Sequence, residues 1–243
     1  MTAPDAATAV VGFDTATSDA TVAVAEGGRL VFEERAEPAA DGRPRHAGAL
    51  LELVDRAVDA AGGWQRVGHL AVGLGPGTFT GLRIGISTAR ALAQARGLEI
   101  AGVSSLAALA RGTGGQNGRL RLALIDARRR EVFAALYDEA GEAVWEPFVA
   151  GPDALRERLA TLEVPPLAAG DGSLRFRQEL EAAGVEVPPD ADPVHRMAAR
   201  YICELADSAD RVRPDQVKPI YLRRPDAEIW RERQGHGAGR AGA

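Results

Sequence analysis

The sequence lacks the features of a secreted or membrane-embedded chain. Cys203 is its single cysteine among 243 residues, which excludes an intramolecular disulfide and fits a reducing compartment. No apolar run approaches the roughly 18 residues that cross a bilayer. The opening segment, Met1–Thr8, has no basic region followed by an apolar run, as a signal peptide would. These absences predict a cytoplasmic protein with no membrane contact.

The sequence also has no strongly basic stretch. Its formal net charge is −5, and acidic and basic residues are interspersed along the chain. Nucleic-acid affinity depends on clustered lysine and arginine side chains that neutralise phosphates, so we expect no independent nucleic-acid binding.

Recognisable metal and nucleophile motifs are missing as well. The four histidines are isolated from one another, and none has a second histidine or cysteine at ligand spacing. No Gly-x-Ser-x-Gly elbow occurs, and Cys203 lies in a helical pattern, which favours a packed core thiol. The sequence predicts no catalytic residue and no metal site.

What is present is the glycine-rich segment Ala71–Arg90, which reads as a buried strand, a Gly-Pro-Gly turn and a helix of small and apolar residues. Gly81 is followed by leucine and arginine, so the segment lacks the Gly-Lys-Ser/Thr end of a Walker loop. The spacing Gly75, Gly77, Gly81 also departs from the dinucleotide fingerprint. We interpret the turn as a strand-to-helix connection, with phosphate binding as the open alternative.

Turn residues divide the chain into elements whose order recurs after a glycine-rich linker at residues 113–118. The first copy has predicted strands at 10–14, 20–25, 29–33, 69–73 and 99–103, and helices at 46–61, 79–95 and 104–112. The second has predicted strands at 120–125, 131–137 and 143–149, and helices at 152–162, 173–183 and 194–208.

A duplicated β-β-β-α-β-α unit is typical of the two-lobed actin-like α/β fold of sugar kinases and Hsp70-like ATPases, which uses a ribonuclease-H-like unit twice. Here the second lobe is shortened. We predict an N-terminal lobe at 1–112, which carries the partner-binding helices, and a C-terminal lobe at 113–243 whose tail is disordered from about residue 231.

In actin-like ATPases the nucleotide lies between loops that correspond to three segments of this chain. Two of them meet the phosphates, and Asp14 in the first could coordinate a hydrated magnesium. The third, Ala169-Gly-Asp-Gly172, corresponds to the loop that holds the adenosine. Asp14-Thr-Ala-Thr-Ser18 and Asp126-Ala-Arg-Arg-Arg130 lack the glycines that let backbone amides approach phosphate. Each segment has the alternative interpretation of a hairpin turn or helix cap. Together they predict a degenerate nucleotide cleft with at most weak ATP or ADP binding, at Asp14, Thr15, Thr17, Asp126, Arg128, Gly170 and Gly172.

Two predicted helices have more apolar surface than one sheet-facing side requires. On a helical wheel the first has a core stripe at Ala47, Leu50, Leu51, Val54, Val58 and Ala61, and a second side at Ala49, Leu53, Ala57 and Ala60. In the second helix Gly81 and Gly85, beside Thr88 and Leu92, would let another backbone come close. The extra sides indicate either neighbouring layers of the same fold or a partner surface.

Several segments, in order over about residues 9–225, resemble the TsaB (YeaZ) family. They are Phe13-Asp-Thr-Ala-Thr17, Arg45-His46, Gly75-Pro-Gly-Thr-Phe-Thr-Gly-Leu-Arg-Ile-Gly85, Asp126-Ala-Arg-Arg129 with the following Glu-Val-Phe-Ala-Ala-Leu-Tyr, and Pro219-Ile-Tyr-Leu-Arg223. The resemblance implies a bacterial, non-catalytic partner of the paralogue TsaD. That enzyme attaches threonylcarbamoyl to the tRNA adenosine next to the anticodon, with the ATPase TsaE in the same complex.

The resemblance further implies that the first two helices contact TsaD in a four-helix arrangement, which can also support a homodimer. The catalytic paralogue has a His-x-x-x-His metal motif on its first helix. Here Leu50 stands four positions after His46, so that motif is absent. The expected interface is His46, Ala49, Leu50, Leu53, Ala57, Ala60, Gly81, Leu82, Gly85, Thr88, Ala89 and Leu92.

Two other functions stay open at this point. One is an enzyme, either a small-molecule kinase of this fold or a peptidase, and the other is a nucleotide-sensing module that holds ADP or ATP without hydrolysis. The sequence also leaves open whether a nucleotide sits at the TsaD junction, which oligomer forms at rest, and whether tRNA touches Arg223 and Arg224.

Overall fold

The computed structural model of the chain describes residues 8–114 and 118–223. The predicted tail from about 231, Arg224, and residues 115–117 of the predicted linker lie outside the described residues. Within the described ranges, no helix is long and apolar enough to cross a membrane.

The described residues form ten strands and seven α-helices, and the eight predicted strands occur among them in the predicted order, whereas β9 and β10 were not predicted. The strands are β1 (Ala9–Asp14), β2 (Ala20–Glu26), β3 (Arg29–Ala36), β4 (Val67–Gly73), β5 (Ile100–Val103), β6 (Arg121–Asp126), β7 (Val132–Tyr137), β8 (Ala143–Ala150), β9 (Leu167–Ala169) and β10 (Arg211–Val212). The helices are α1 (His46–Ala60), α2 (Phe79–Arg96), α3 (Ser105–Arg111), α4 (Pro152–Leu159), α5 (Asp171–Arg175), α6 (Arg177–Ala182) and α7 (Ala199–Ala206).

Four strands of the first sheet, β4-β1-β2-β3, are arranged in the same way as the four strands of the second, β9-β6-β7-β8. The first runs β10-β5-β4-β1-β2-β3 and the second β8-β7-β6-β9. In each sheet the opening meander is antiparallel, and its first strand then pairs in parallel with a later strand, β4 or β9. The predicted duplicated, actin-like α/β architecture with a shortened second copy is therefore confirmed.

The elements stack as five layers with three hydrophobic cores. α1 and α2 cover one face of the first sheet, and α4 and α6 cover the outer face of the second. Between the sheets lie α3 and α7, whose side chains share one core with residues of both sheets, such as Val10 and Ile125. Strands such as β1 are buried throughout because helices cover both faces of their sheet.

Some boundaries differ from the prediction. The helix expected at 173–183 is two short helices that meet at Phe176, and the one expected at 194–208 begins only at Ala199, after a 3-10 turn at Pro193–His195. The chain also returns to the first lobe: α7 packs on β1 and β2, and β10 pairs with β5. The expected second lobe, 113–243, thus includes segments that lie on the first sheet.

Candidate functional site

The first predicted phosphate loop is closed by its own side chains. The Asp14 carboxylate, 1% exposed, accepts hydrogen bonds from Ser105 Oγ at 2.5 Å and from the Ala16 amide at 2.6 Å. Burial raises the pKa of Asp14, although both hydrogen bonds oppose that shift. Ser105, at the start of α3, was not identified from the sequence as a partner. The carboxylate that could have met magnesium is therefore committed to holding β1 against α3.

Behind that loop, α2 approaches so closely that only glycine fits. A Cβ atom on Gly81 would lie 2.0 Å from the Thr15 carbonyl oxygen, and one on Gly85 would lie 2.4 Å from Thr15 Oγ1. Thr15 Oγ1 donates to the Gly81 carbonyl at 2.8 Å. The close backbone approach predicted at these glycines exists, but the approaching backbone is the chain's own first loop. Gly81 and Gly85 pack against this loop of the same chain, which corrects the prediction that they let a partner's backbone come close.

The second predicted phosphate loop has an unusual backbone. Arg128, Arg129 and Arg130 have φ of 62°, 54° and 60°, in the left-handed region that residues other than glycine rarely enter. The turn is held by the Arg128 amide, which donates to Asp126 Oδ1 at 2.8 Å, and by Arg223, which donates to the Ala127 carbonyl at 2.9 Å. The second loop is therefore a turn of three exposed arginines in place of a glycine loop.

The predicted adenosine segment packs against the second loop. Asp171, which opens α5, accepts a hydrogen bond from the Asp126 amide at 3.0 Å, and Arg175 lies 3.6 Å from the Asp126 carboxylate. Burial, together with the nearby Asp126 charge, raises the pKa of Asp171 to about 6. A Cβ on Gly170 would lie 2.0 Å from the Leu124 carbonyl oxygen, so this glycine is required for packing on β6.

A cleft of about 300 Å³ lies between the two lobes and brings together part of the predicted site. Thr17 and Asp171 line it, whereas Asp14 and Thr15 are buried away from it. The other lining residues are Ser18, Asp19, Glu37, Pro38, Leu174, Asp190, His195, Arg196 and Met197. Three of its four carboxylates are paired, since Glu37, Asp19 and Asp190 form ion pairs with Arg196, Arg35 and Arg177. The cleft therefore has no surplus of positive charge with which to hold the phosphates of a nucleotide.

His195 is a cleft residue that the sequence did not single out. It is buried, with Nε2 donating to the Pro188 carbonyl at 3.0 Å and Nδ1 lying 2.9 Å from Ser173 Oγ. These contacts tie α5 to the segment before α7, which is a structural role. Within the described ranges, no group of three or more histidine, cysteine, aspartate or glutamate side chains is arranged to hold a metal ion.

His46 also has a structural environment. Its ring is buried at the start of α1, and Nε2 donates to the Ser18 carbonyl at 3.2 Å. Burial lowers the pKa of His46, which keeps the imidazole neutral near physiological pH. The residue therefore anchors the first turn of α1 to the loop before β2.

The outer face of α1 and α2 differs from the helical-wheel prediction. Leu53 and Ala57, expected on the free side, are 1% and 0% exposed in the core on the first sheet, whereas Leu51 is 56% exposed. The accessible-side prediction was wrong because apolar residues occur around most of α1, and a wheel alone does not say which arc meets the sheet. Nine of the expected interface residues are buried in this chain: His46, Ala49, Leu50, Leu53, Ala57, Gly81, Leu82, Gly85 and Ala89.

The accessible part of this face is a shallow groove between α1 and α2. Ala60 is exposed, and Thr88 and Leu92 are half-buried. A groove of about 420 Å³ runs beside Leu51, and its lining residues are Leu51, Glu52, Val54, Asp55, Trp64, Leu92 and Arg96. The exposed Leu51 lies beside the half-buried Trp64 and Leu92, and this contiguous apolar surface makes the groove the best candidate for a partner surface.

Comparisons with known proteins point to one biological process. The family model described as TsaD, tRNA N6-adenosine threonylcarbamoyltransferase, matches residues 40–166. The tRNA threonylcarbamoyladenosine biosynthesis protein TsaB of Escherichia coli is 29% identical over 235 residues, which cover 93% of this chain and 98% of that protein. The Bacillus subtilis protein of the same name is 30% identical over 180 residues, 70% of this chain and 76% of that protein. The solved structure of YeaZ from Pseudomonas aeruginosa aligns with a TM-score of 0.71 at 29% identity, over 88% of this chain and 100% of that one.

Proposed function

The chain belongs to the TsaB (YeaZ) family, and from that premise we propose that it is a non-catalytic partner of TsaD, required for threonylcarbamoylation of the tRNA adenosine next to the anticodon. Family membership implies a role in the threonylcarbamoyladenosine modification of tRNA. The heterodimer with TsaD, the presence of TsaE in the same complex, and a homodimer when the chain is alone are parts of the proposal.

The observation that best supports a non-catalytic role is the structure of the two loops that correspond to the phosphate loops of actin-like ATPases. Asp14 is held by Ser105, and the second loop is a left-handed turn of three arginines without glycine. Both loops lack the glycines that let backbone amides approach a phosphate, and the cleft between the lobes has no surplus of positive charge to hold one. The same charge distribution disfavours the kinase and nucleotide-sensor alternatives.

The accessible groove between α1 and α2 is the surface we assign to TsaD. Leu51, Leu92 and the half-buried Ile84 supply apolar area, while Glu52, Asp55 and Arg96 supply a charged rim. An apolar centre with a polar rim is the usual anatomy of a specific interface. The expected residues Ala60, Thr88 and Leu92 remain in this proposal as direct contacts, and the buried ones act by shaping the helices.

The family match supports a pairing of equivalent helices. The matched range, residues 40–166, contains both α1 and α2, so TsaD is expected to present the corresponding helices of its own first lobe. Two related surfaces that meet about a pseudo-two-fold axis form a self-complementary interface of four helices. A second copy of this chain would use the same face, so TsaD and homodimer formation compete.

Co-elution on size-exclusion chromatography tests the proposal. The chain and TsaD, mixed in equal amounts, should elute together as a heterodimer, and excess TsaD should convert any homodimer of the chain into the mixed species. Separate elution at concentrations of about 10 μM would contradict the proposed partnership, because partners of a stable complex associate well below that range.

A further inference from the structure

A second flank of α2, away from the groove, carries cations that have no acidic partner among the described residues. Arg83, Ser87 and Arg90 lie on one face of the helix and, with Pro219, Tyr221 and Ile86, line a cavity of about 260 Å³. Among the described residues, neither Arg83 nor Arg90 forms an ion pair, whereas Arg56, Arg111, Arg177 and other arginines do. The exposed Lys218 adds a third positive charge beside the cavity.

Aromatic rings stand next to these cations. The rings of Tyr221 and Phe79 pack with their centroids 5.3 Å apart, and the Arg83 guanidinium lies 3.8 Å from the Phe79 centroid. Tyr221 remains 42% exposed, so part of its ring is open to a further planar group. Stacked aromatic and guanidinium planes beside cations are the arrangement with which proteins hold unpaired bases and their phosphates.

The segment that carries Tyr221 is fixed in position by the first lobe. The Ile220 amide donates to the Leu74 carbonyl at 2.8 Å, and the Arg90 guanidinium donates to the Val217 carbonyl. Arg90 Nε is buried and has no hydrogen-bond partner among the described residues. Because these contacts order the segment before any ligand arrives, binding there would cost little conformational entropy.

We propose that Phe79, Arg83, Arg90, Lys218 and Tyr221 form a binding surface for single-stranded RNA, here called the Arg83–Tyr221 surface. The cations contact phosphates along the strand, and the exposed Tyr221 ring stacks on a base. Arg83 and Arg90 are about 10 Å apart along the helix axis, which suits a chain of phosphates better than one isolated anion. The proposal rests on the proposed function, because tRNA is the RNA that a partner of TsaD would meet, and a tRNA loop supplies the single strand.

Three cations give only modest affinity, so the proposal departs from the expectation of no independent nucleic-acid binding only at low salt. For single strands, each neutralised phosphate contributes about −0.7 to the slope of log K against log salt, so three contribute about −2. The Arg83–Tyr221 surface therefore adds to RNA held by other parts of a complex and becomes measurable in isolation at low salt.

Fluorescence anisotropy at low ionic strength tests the surface with the full chain alone and a labelled RNA hairpin with an unpaired loop. Arg83→Gln should weaken binding about 3- to 10-fold and flatten the salt slope by about 0.7. Tyr221→Ala should weaken binding about 5-fold or more without changing the slope. The matched control is Arg156→Gln on α4, whose side chain is 63% exposed and far from this flank in the fold.

The outcomes separate this surface from the partnership with TsaD. Weaker binding of both variants, with the control unchanged and with normal co-elution with TsaD, supports the surface. Equal binding of all proteins, or no RNA binding by the wild-type chain either alone or with TsaD, overturns it. Displacement of RNA by millimolar mononucleotide or inorganic phosphate as effectively as by unlabelled RNA would show a small-anion site and also overturn it. Failed co-elution with TsaD, with RNA binding intact, would overturn the proposed function alone.

Discussion

The Thr15 hydroxyl donates a hydrogen bond to the Gly81 carbonyl at 2.8 Å, and a Cβ atom on residue 81 would lie only 2.0 Å from the Thr15 carbonyl oxygen. The first loop and α2 are thus packed backbone to backbone. The glycines of the segment that resembles a phosphate loop serve this contact, which explains why a glycine-rich turn occurs here without a nucleotide pocket.

Gly81→Ala should destabilise the protein through that contact. The added methyl group overlaps the Thr15 carbonyl, and separating α2 from the loop costs roughly 1–3 kcal/mol of unfolding free energy. The matched control is Gly48→Ala in α1, where no atom lies within 4 Å of the new Cβ. That control should stabilise the chain by up to about 1 kcal/mol through helix propensity. Urea unfolding of both variants measures the two effects, and equal shifts would contradict the packing argument.

Leu51→Glu should prevent co-elution with TsaD while leaving the melting temperature nearly unchanged. The side chain is 56% exposed, so the fold does not need it, but a carboxylate at the centre of an apolar interface stays unpaired. We expect a loss of at least about 2 kcal/mol of binding free energy, or roughly 30-fold. Val164→Glu, at an equally exposed valine of the second lobe, is the control and should bind TsaD normally. Normal binding by Leu51→Glu would exclude the groove as the interface.

Asp171→Asn should become more stable than the wild type as pH rises. The folded-state pKa of Asp171, about 6, lies above the value near 3.9 of an unfolded chain. Between these values the folded state binds more protons, so the wild-type unfolding free energy declines with pH, and above about pH 7 the loss is complete. Asparagine has no charge and keeps the acceptor for the Asp126 amide. Melting temperatures from pH 4 to 8 should diverge in favour of the variant, and parallel curves would refute the raised pKa.

Titration calorimetry of the isolated chain with Mg-ATP should give no binding below about 1 mM, because Asp14 is occupied by Ser105 and the cleft has no surplus of positive charge. TsaE, the expected ATPase of the complex, serves as the positive control for the nucleotide. Micromolar binding by the chain would revive the nucleotide-sensor alternative.

The order of elements could be predicted from the sequence because turn residues bracket nearly every strand of the two meanders. Gly27-Gly28 separates β2 from β3, and residues 138–142 separate β7 from β8. β10 could not be predicted, since a two-residue strand carries no periodicity and exists only through pairing with β5.

The candidate site was less predictable than the fold. The residue types of the first loop were recognised, but the contact between Asp14 and Ser105 joins positions 91 residues apart and depends on tertiary packing. Three consecutive arginines give no signal of a left-handed turn, because that backbone favours glycine, asparagine and aspartate. On α1, the choice between Leu51 and Leu53 as the exposed leucine depends on how the helix lies on its sheet.

The most direct test of the central claim is threonylcarbamoylation of tRNA by purified TsaD and TsaE, supplied with the threonylcarbamoyl-adenylate donor, with and without this chain. We predict product only when the chain is present, and none from the chain with donor and tRNA alone. Equal product from TsaD and TsaE without the chain would contradict its role as a required partner, and product from the chain alone would contradict its non-catalytic role.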